Sequence, residues 1–194
     1  MRTDTYTEKH GMKLILSEVE RVAEFCKLSS SSASKLRLLT EEMLELTVRL
    51  FDDLKYSFYI ENEKKHFTLN LIADTYVSLS QREKMLSLSS DGKNLATKGL
   101  LGKISTVFEG LLSGDSGYDL ISMPFCDNLG IHTYFTLSNY QDEIQKMFQE
   151  ESQKKSQSEE WDELGKSIIA NLAKEVVIGV RNKKVEMIVT VDFN

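Results

Sequence analysis

The chain has few of the residues that build disulfide and metal sites. Its 194 residues include two cysteines, Cys26 and Cys126, which are far apart and not in a metal-binding spacing. We therefore expect two reduced, partly buried thiols. The three histidines, His10, His66 and His132, share no motif. Because a zinc site needs several ligands at defined spacing, we expect them to be surface or strand residues.

Long apolar runs and an excess of positive charge are also missing. No run approaches the roughly 18 apolar residues of a membrane helix, and none follows a basic start. We therefore expect a cytoplasmic protein without membrane contact. The net charge of -6 argues against a general nucleic-acid binder, which shows a clustered basic face. It does not exclude a single nucleotide, because a few backbone N–H groups and one lysine can bind its phosphates.

The first part of the chain predicts two helices and a hairpin within a single domain of residues 1–194. Apolar residues at helical spacing predict a first helix over 13–27. A serine in 29–32, or Ser34, is expected to cap a second helix that ends at 52–53. Alternation in 56–60 and 66–74 predicts two strands around a turn at 61–65. The expected core positions are Leu14, Ile15, Val19, Val22, Ala23, Phe25, Leu36, Leu38, Leu39, Met43, Leu44, Leu46, Leu50, Phe51, Phe58, Ile60, Phe67, Leu69 and Leu71.

The second part predicts further helices and a closing hairpin. Helices are expected over 95–112, over 140–150 with Asn139 as cap, and over 161–174. Short strands are expected over 132–138, 176–180 and 185–193, the last with its odd-numbered residues facing inward. Runs of helix beside hairpins predict an α+β fold, a two-layer sandwich of helices on a mixed, mostly antiparallel sheet.

Two stretches resemble a known family. They are LRLLTEEMLELTVRLF at 36–51 and ELGKSIIANLAKEVVIGVRNKKVEMIVTVDF at 163–193. The first is similar to the N-box helix, and the second to the closing helix and hairpin, of the GHKL (Bergerat) ATPase fold. The nearest branch is that of bacterial anti-sigma-factor serine kinases and histidine-kinase ATP-binding domains. The resemblance implies that residues 75–160 are an enlarged lid-like insertion within the domain.

The resemblance assigns roles to glutamates of the second helix. In the family, the N-box Glu is a general base, and an Asn four residues later binds Mg²⁺. Glu42 matches the Glu, but Leu46 follows at the Asn position and cannot bind metal. If Glu41 is chosen instead, Glu45 follows, whose carboxylate could hold Mg²⁺ but would repel the phosphates. Mg²⁺ binding is therefore doubtful, and the alternative is that both glutamates are polar-edge residues of an amphipathic helix.

Further positions correspond to the nucleotide-reading motifs. Asp74, at the end of the hairpin, matches the Asp that reads adenine, although it could also be a turn carboxylate. Tyr76 stands where the family has its first glycine. Gly165 matches the last glycine box, where a helix N-terminus and Lys166 would contact phosphate. Close packing at a helix start is the alternative for Gly165, and residues 99–102 are a second candidate for the glycine box.

The resemblance implies a signalling regulator that binds ATP or ADP, with impaired catalysis, as in a pseudoenzyme. The alternative is a non-catalytic protein-interaction module that has lost the nucleotide and contacts a partner through residues 95–150. A third reading is an active serine kinase with Glu42 as base. The first two imply a protein partner, allow a homodimer, and involve no nucleic acid.

Overall fold

The chain folds as an α+β protein. The computed structural model describes residues 9–50, 55–74, 132–150, 167–182 and 184–193, with helical residues 100, 103, 104, 107 and 111. The elements in chain order are α1 (Lys9–Phe25), α2 (Ser30–Leu50), β1 (Tyr56–Glu63), β2 (His66–Asp74), β3 (His132–Thr136), α3 (Leu137–Glu150), α4 (Ile168–Leu172), β4 (Glu175–Arg181) and β5 (Lys184–Asp192). The predicted α+β class is confirmed.

The strands form one five-stranded sheet in the order β1-β2-β5-β4-β3. Each of the four pairings is antiparallel, so the described sheet is not mixed as predicted. Each hairpin reverses the chain, and the two hairpins meet along β2 and β5, from His66 opposite Asp192 to Asp74 opposite Lys184. This contact between distant parts of the chain places β1 at one edge and β3 at the other.

One face of the sheet and the helices enclose a single main core. The alternating residues of both hairpins face it as predicted, because side chains along a strand point to opposite faces in turn. Phe67 and Phe193 meet edge to face, with ring centroids 5.4 Å apart. The confirmed core positions are Ile15, Val19, Ala23, Leu36, Leu39, Met43, Leu44, Leu46, Phe58, Ile60, Phe67, Leu69, Leu71, Val185, Met187, Val189, Val191 and Phe193.

Helix caps agree with the prediction in one case and not in the other. The Ser29 hydroxyl accepts a hydrogen bond from the Ser32 N–H at 3.2 Å, so a serine of the predicted group caps α2. Asn139 was expected to cap the helix after β3, but α3 begins at Leu137. The Thr136 hydroxyl accepts from the Asn139 N–H at 3.2 Å. The cap is therefore the last residue of the strand, which leaves no loop between β3 and α3.

The first hairpin has a shorter turn than predicted. β1 continues to Glu63, and only Lys64 and Lys65 form the turn. Both have positive φ, 51° and 68°. Two such residues give the two-residue turn whose twist matches that of the strands. The five polar residues at 61–65 indicated a loop, but three of them are exposed residues at the end of an edge strand.

Three apolar residues predicted to be buried are exposed. Leu14 is 56% exposed, Phe25 is 87% exposed, and Leu38 on α2 is also exposed. The buried stripe of α1 runs through Ile15 and Val19. Leu14 precedes Ile15 by one residue, which is about 100° around a helix. Leu14 and Phe25 therefore follow a helical spacing, but they lie on a different side of α1 from the buried residues.

Asp192 links β5 to β2 and to the connection between α4 and β4, and these contacts predict an acid-sensitive interaction. Its carboxylate accepts from Lys174 Nζ at 2.7 Å and lies 2.5 Å from His66 Nδ1. The hydrogen bond from Lys174, then that from His66, lowers the pKa of Asp192. A lowered pKa gives stability that is present above the ordinary carboxyl pKa of about 3.9 and is lost as the pH falls through the lowered value.

We therefore expect Asp192→Asn to flatten the acid limb of a plot of melting temperature against pH. The exposed Asp142 on α3 provides the control, because Asp142→Asn should leave that limb unchanged. If the Asp192 variant and the wild type lose stability in parallel from neutral pH to pH values below the ordinary Asp pKa, the contact contributes nothing.

Candidate functional site

The two predicted N-box glutamates lie on different sides of α2. Arg37 Nη1 donates to Glu41 Oε2 at 3.4 Å, and Arg37 Nε donates to Glu20 of α1 at 3.0 Å. Glu41 therefore faces α1 within a partly exposed group of ion pairs. This arrangement favours the interpretation of Glu41 as a polar-edge residue. Its carboxylate is engaged with Arg37, one turn earlier on the same helix.

Glu42 lies about 100° further around the helix, on the side of Leu46. Glu42 is half-buried, and Leu46 is only 6% exposed within the main core. Leu46, which the resemblance aligns with a metal-binding Asn, is therefore a packing residue. Glu45 is half-buried on the same helix. Among the described residues, no group of three or more His, Cys, Asp or Glu could hold a metal ion.

The end of α2 leads along the chain to the strand end beside the predicted adenine-reading Asp. α2 ends at Leu50, and β1 begins at Tyr56. The connection spans at most about 3.5 Å per residue, which keeps the two within roughly 20 Å. Tyr56 pairs with Ala73, and Asp74 is the last residue of β2. The chain connection therefore limits the distance between the end of α2 and the end of β2, which are two of the predicted site segments.

Tyr56 is the unusual residue at this end of the sheet. It is 4% exposed, and its hydroxyl has no hydrogen-bond partner in the described part of the chain. Burial raises the pKa of Tyr56, so the phenol is held neutral. A buried hydroxyl without a partner costs about 1–3 kcal/mol, and such groups often belong to functional sites. The sequence analysis missed Tyr56. The only signal was a tyrosine, rather than an aliphatic residue, at an inward position of β1.

α4 is the third predicted site segment, and it packs against α2. Ser167 caps α4, with its hydroxyl accepting from the Ala170 N–H at 3.3 Å. Five residues of helix are too few to bind an anion on their own. Gly165 and Lys166 precede the cap directly in sequence. These two residues and Tyr76 lie outside the described residues, as do residues 99 and 102, so their predicted roles stay predictions.

The sheet face opposite the helices carries a second polar cluster, formed by Tyr59, Arg181 and Glu186. Arg181 Nε donates to Glu186 Oε1 at 2.8 Å, and Nη2 lies 2.6 Å from Oε2. The guanidinium also hydrogen-bonds the Tyr59 hydroxyl. Burial is the main cause that raises the pKa of Tyr59, and the hydrogen bond with Glu186 raises the pKa of Arg181. Since the charges neutralise one another, we interpret the cluster as structural.

A groove lies at the other end of β1, beside the end of α1. Its volume is about 660 Å³, and its lining includes Val22, Phe25, Cys26, Ile60 and Asn62. Asn62 Nδ2 donates to the Cys26 sulfur at 3.3 Å. Cys26 is a free, half-buried thiol as predicted, and Cys126 lies outside the described residues. The groove is at the opposite end of β1 from Tyr56, so it is not the predicted nucleotide site.

No family model matches the chain, and neither the curated proteins nor the solved structures include a match. The resemblance to GHKL ATPases therefore rests on the quoted residues and the order of elements. In the described part of the chain, no helix is long and apolar enough to cross a membrane.

Proposed function

We propose that this chain is a regulatory protein that binds ATP or ADP without efficient catalysis. The nucleotide would bind where the second half of α2, the start of β1 and the end of β2 come together. The observation that carries the proposal is the buried Tyr56 hydroxyl without a partner in the described residues. A bound base or ribose would give this hydroxyl a hydrogen bond. By the resemblance, Asp74 would accept from the adenine amine, and Gly165 and Lys166 would contact phosphate.

The impaired catalysis follows from α2. Phosphoryl transfer depends on a metal ion to neutralise developing charge. Leu46 occupies the metal-ligand position and is buried in the core. Glu41, the alternative base, is engaged with Arg37. Binding without turnover makes the nucleotide a ligand that stabilises one conformation of the protein, which suits a regulatory role towards a protein partner.

Nucleotide titration tests this proposal. At 100 times the dissociation constant, ADP or ATP should stabilise the protein by about 2.7 kcal/mol in thermal unfolding. Mg²⁺ should change the affinity little, and no phosphate should be released. Asp74→Asn should weaken binding at least tenfold, whereas Asp142→Asn, at an exposed position of α3, should leave it unchanged. No thermal shift at millimolar nucleotide would contradict the proposal.

Tyr56→Phe removes only the hydroxyl and separates a ligand role from a structural one. Because that hydroxyl is unpaired, we expect the nucleotide-free variant to be as stable as the wild type or more stable. ADP affinity should fall about tenfold, the value of a hydrogen bond of about 1.4 kcal/mol. Tyr59→Phe is the matched control, because Tyr59 bonds Arg181 and its loss should affect stability but not affinity. A destabilised Tyr56→Phe protein with unchanged ADP affinity would show that the hydroxyl is structural.

A second candidate is a protein-interaction module that has lost the nucleotide. It is favoured by Phe25, an 87% exposed aromatic residue at the rim of the groove. Large exposed aromatics are frequent anchors of protein interfaces. This candidate predicts no response to ATP or ADP and an association that Phe25→Ser weakens. The partner contact through residues 95–150 that the sequence suggested lies mostly outside the described residues.

A further inference from the structure

One side of α1 carries four residues that the proposed nucleotide site does not use. They are Leu14, Glu18, Arg21 and Phe25, which we call the outer flank. Their spacing of four, three and four residues keeps them within about 60° of one another around the helix axis. The contact between Glu20 and Arg37 marks the side of α1 that faces α2. The outer flank therefore points away from α2.

The outer flank is apolar at its ends and charged in its middle. Leu14 and Phe25 are the two most exposed large apolar residues of the described chain. Between them, Arg21 Nη1 and Glu18 Oε1 form an ion pair at 2.7 Å. The other carboxylate oxygen, Glu18 Oε2, is buried and has no hydrogen-bond partner within the described ranges. An exposed apolar pair on either side of an ion pair indicates a surface that is covered in the assembled protein.

The order of the four residues favours a second copy of this chain as the partner. Read along α1, the flank is apolar, acidic, basic and apolar. When a second copy lies antiparallel, Leu14 meets the partner's Phe25, and Glu18 meets the partner's Arg21. The spacing of four, three and four is that of the contact seam between two coiled helices. A two-fold axis requires one surface to complement itself, and the outer flank does so in both charge and apolar contact.

We propose that a second copy of this chain docks on the outer flank, with the two α1 helices antiparallel in a symmetric homodimer. Each Glu18 then gains a donor from the partner's Arg21, and each Phe25 is covered by the partner's Leu14 beside the groove. The seam is about three helical turns long and smaller than a standard protein interface. The dimer is therefore reversible, with a micromolar dissociation constant.

Sedimentation equilibrium on the full chain tests the dimer through charge reversal. The wild type should show a concentration-dependent dimer. Glu18→Arg places Arg against the partner's Arg21, and Arg21→Glu places Glu against the partner's Glu18. Each variant alone should dissociate at least tenfold more readily. An equimolar mixture of the two should dimerise again, and so should the double variant E18R/R21E, because both restore opposite charges. Lys13→Glu, on another side of α1, is the control and should dimerise like the wild type.

Three results would contradict the proposed dimer. The proposal is wrong if the wild type is monomeric at hundreds of micromolar, if either single variant dimerises like the wild type, or if neither the mixture nor the double variant recovers. Phe25→Ser supplies an independent variant, because so exposed a residue contributes little to the monomer fold; it should weaken the dimer at least tenfold. These measurements need no nucleotide, so their failure and that of the proposed function are distinguishable.

Discussion

Leu46→Asn should destabilise the protein by about 3–5 kcal/mol. Leu46 is buried in the main core, and truncating a buried leucine costs about 2–5 kcal/mol. Asparagine also carries an amide into an apolar site, where an unsatisfied polar group costs about 1–3 kcal/mol. The two effects overlap, because the amide fills part of the volume that leucine leaves. In a chain of this length, such a loss lowers the melting temperature by about 10 °C or more.

The same substitution examines the metal-ligand position. It would recreate the family's Glu and Asn spacing, with Glu42 four residues before the new Asn. We expect thermal unfolding to show the loss of stability and calorimetry to show no gain in Mg²⁺-dependent nucleotide binding. Glu45→Asn is the matched control on the same helix and should cost less than about 1 kcal/mol. A stable Leu46→Asn protein that gains Mg²⁺-dependent binding would mean that position 46 faces the site and not the core.

Arg181→Met should destabilise the protein by about 2–3 kcal/mol. The substitution leaves the buried Glu186 carboxylate without its ion-pair partner. Removing one partner of a buried pair costs about 3–5 kcal/mol. The Arg181 side chain is 33% exposed, so water screens part of the interaction and the expected loss is smaller.

A double-mutant cycle separates the pair from its parts. The double variant R181M/E186M should recover most of the stability that Arg181→Met loses. The reason is that two apolar side chains have no charge to desolvate. Urea denaturation gives the four free energies of unfolding. Arg37→Met is the control, since its ion pairs are exposed and worth at most about 1 kcal/mol. If Arg181→Met unfolds within about 0.5 kcal/mol of the wild type, Glu186 is hydrated despite its burial.

Local sequence patterns predicted the presence of helices and strands better than the residues at which they end or the strands that pair. Alternation at Phe67, Leu69 and Leu71 and in the last strand marked the inward face, because a strand repeats every two residues. The pairing of β2 with β5 joins residues as far apart as His66 and Asp192. No local pattern encodes such a contact. The sheet order, and the antiparallel meeting of the hairpins, therefore required the structure.

The errors on the helices have a common cause. A helix turns about 100° per residue, so adjacent residues lie on different sides. Leu14 was therefore predicted to be core because it stands beside Ile15, although the two residues lie on different sides of α1. The resemblance placed Leu46 at a metal-ligand position, which stays a prediction, whereas the predicted burial of Leu46 is confirmed. The sequence could not predict that Tyr56 is buried without a partner in the described chain, because burial and hydrogen bonding depend on residues brought together only by the fold.

Amide hydrogen exchange with and without ADP tests the nucleotide site most directly. The account predicts that ADP slows exchange in the second half of α2, at the start of β1 around Tyr56, and at the end of β2 around Asp74, with no effect on α1. Protection that is absent at saturating ADP, or that is confined to the groove beside Phe25, would contradict it.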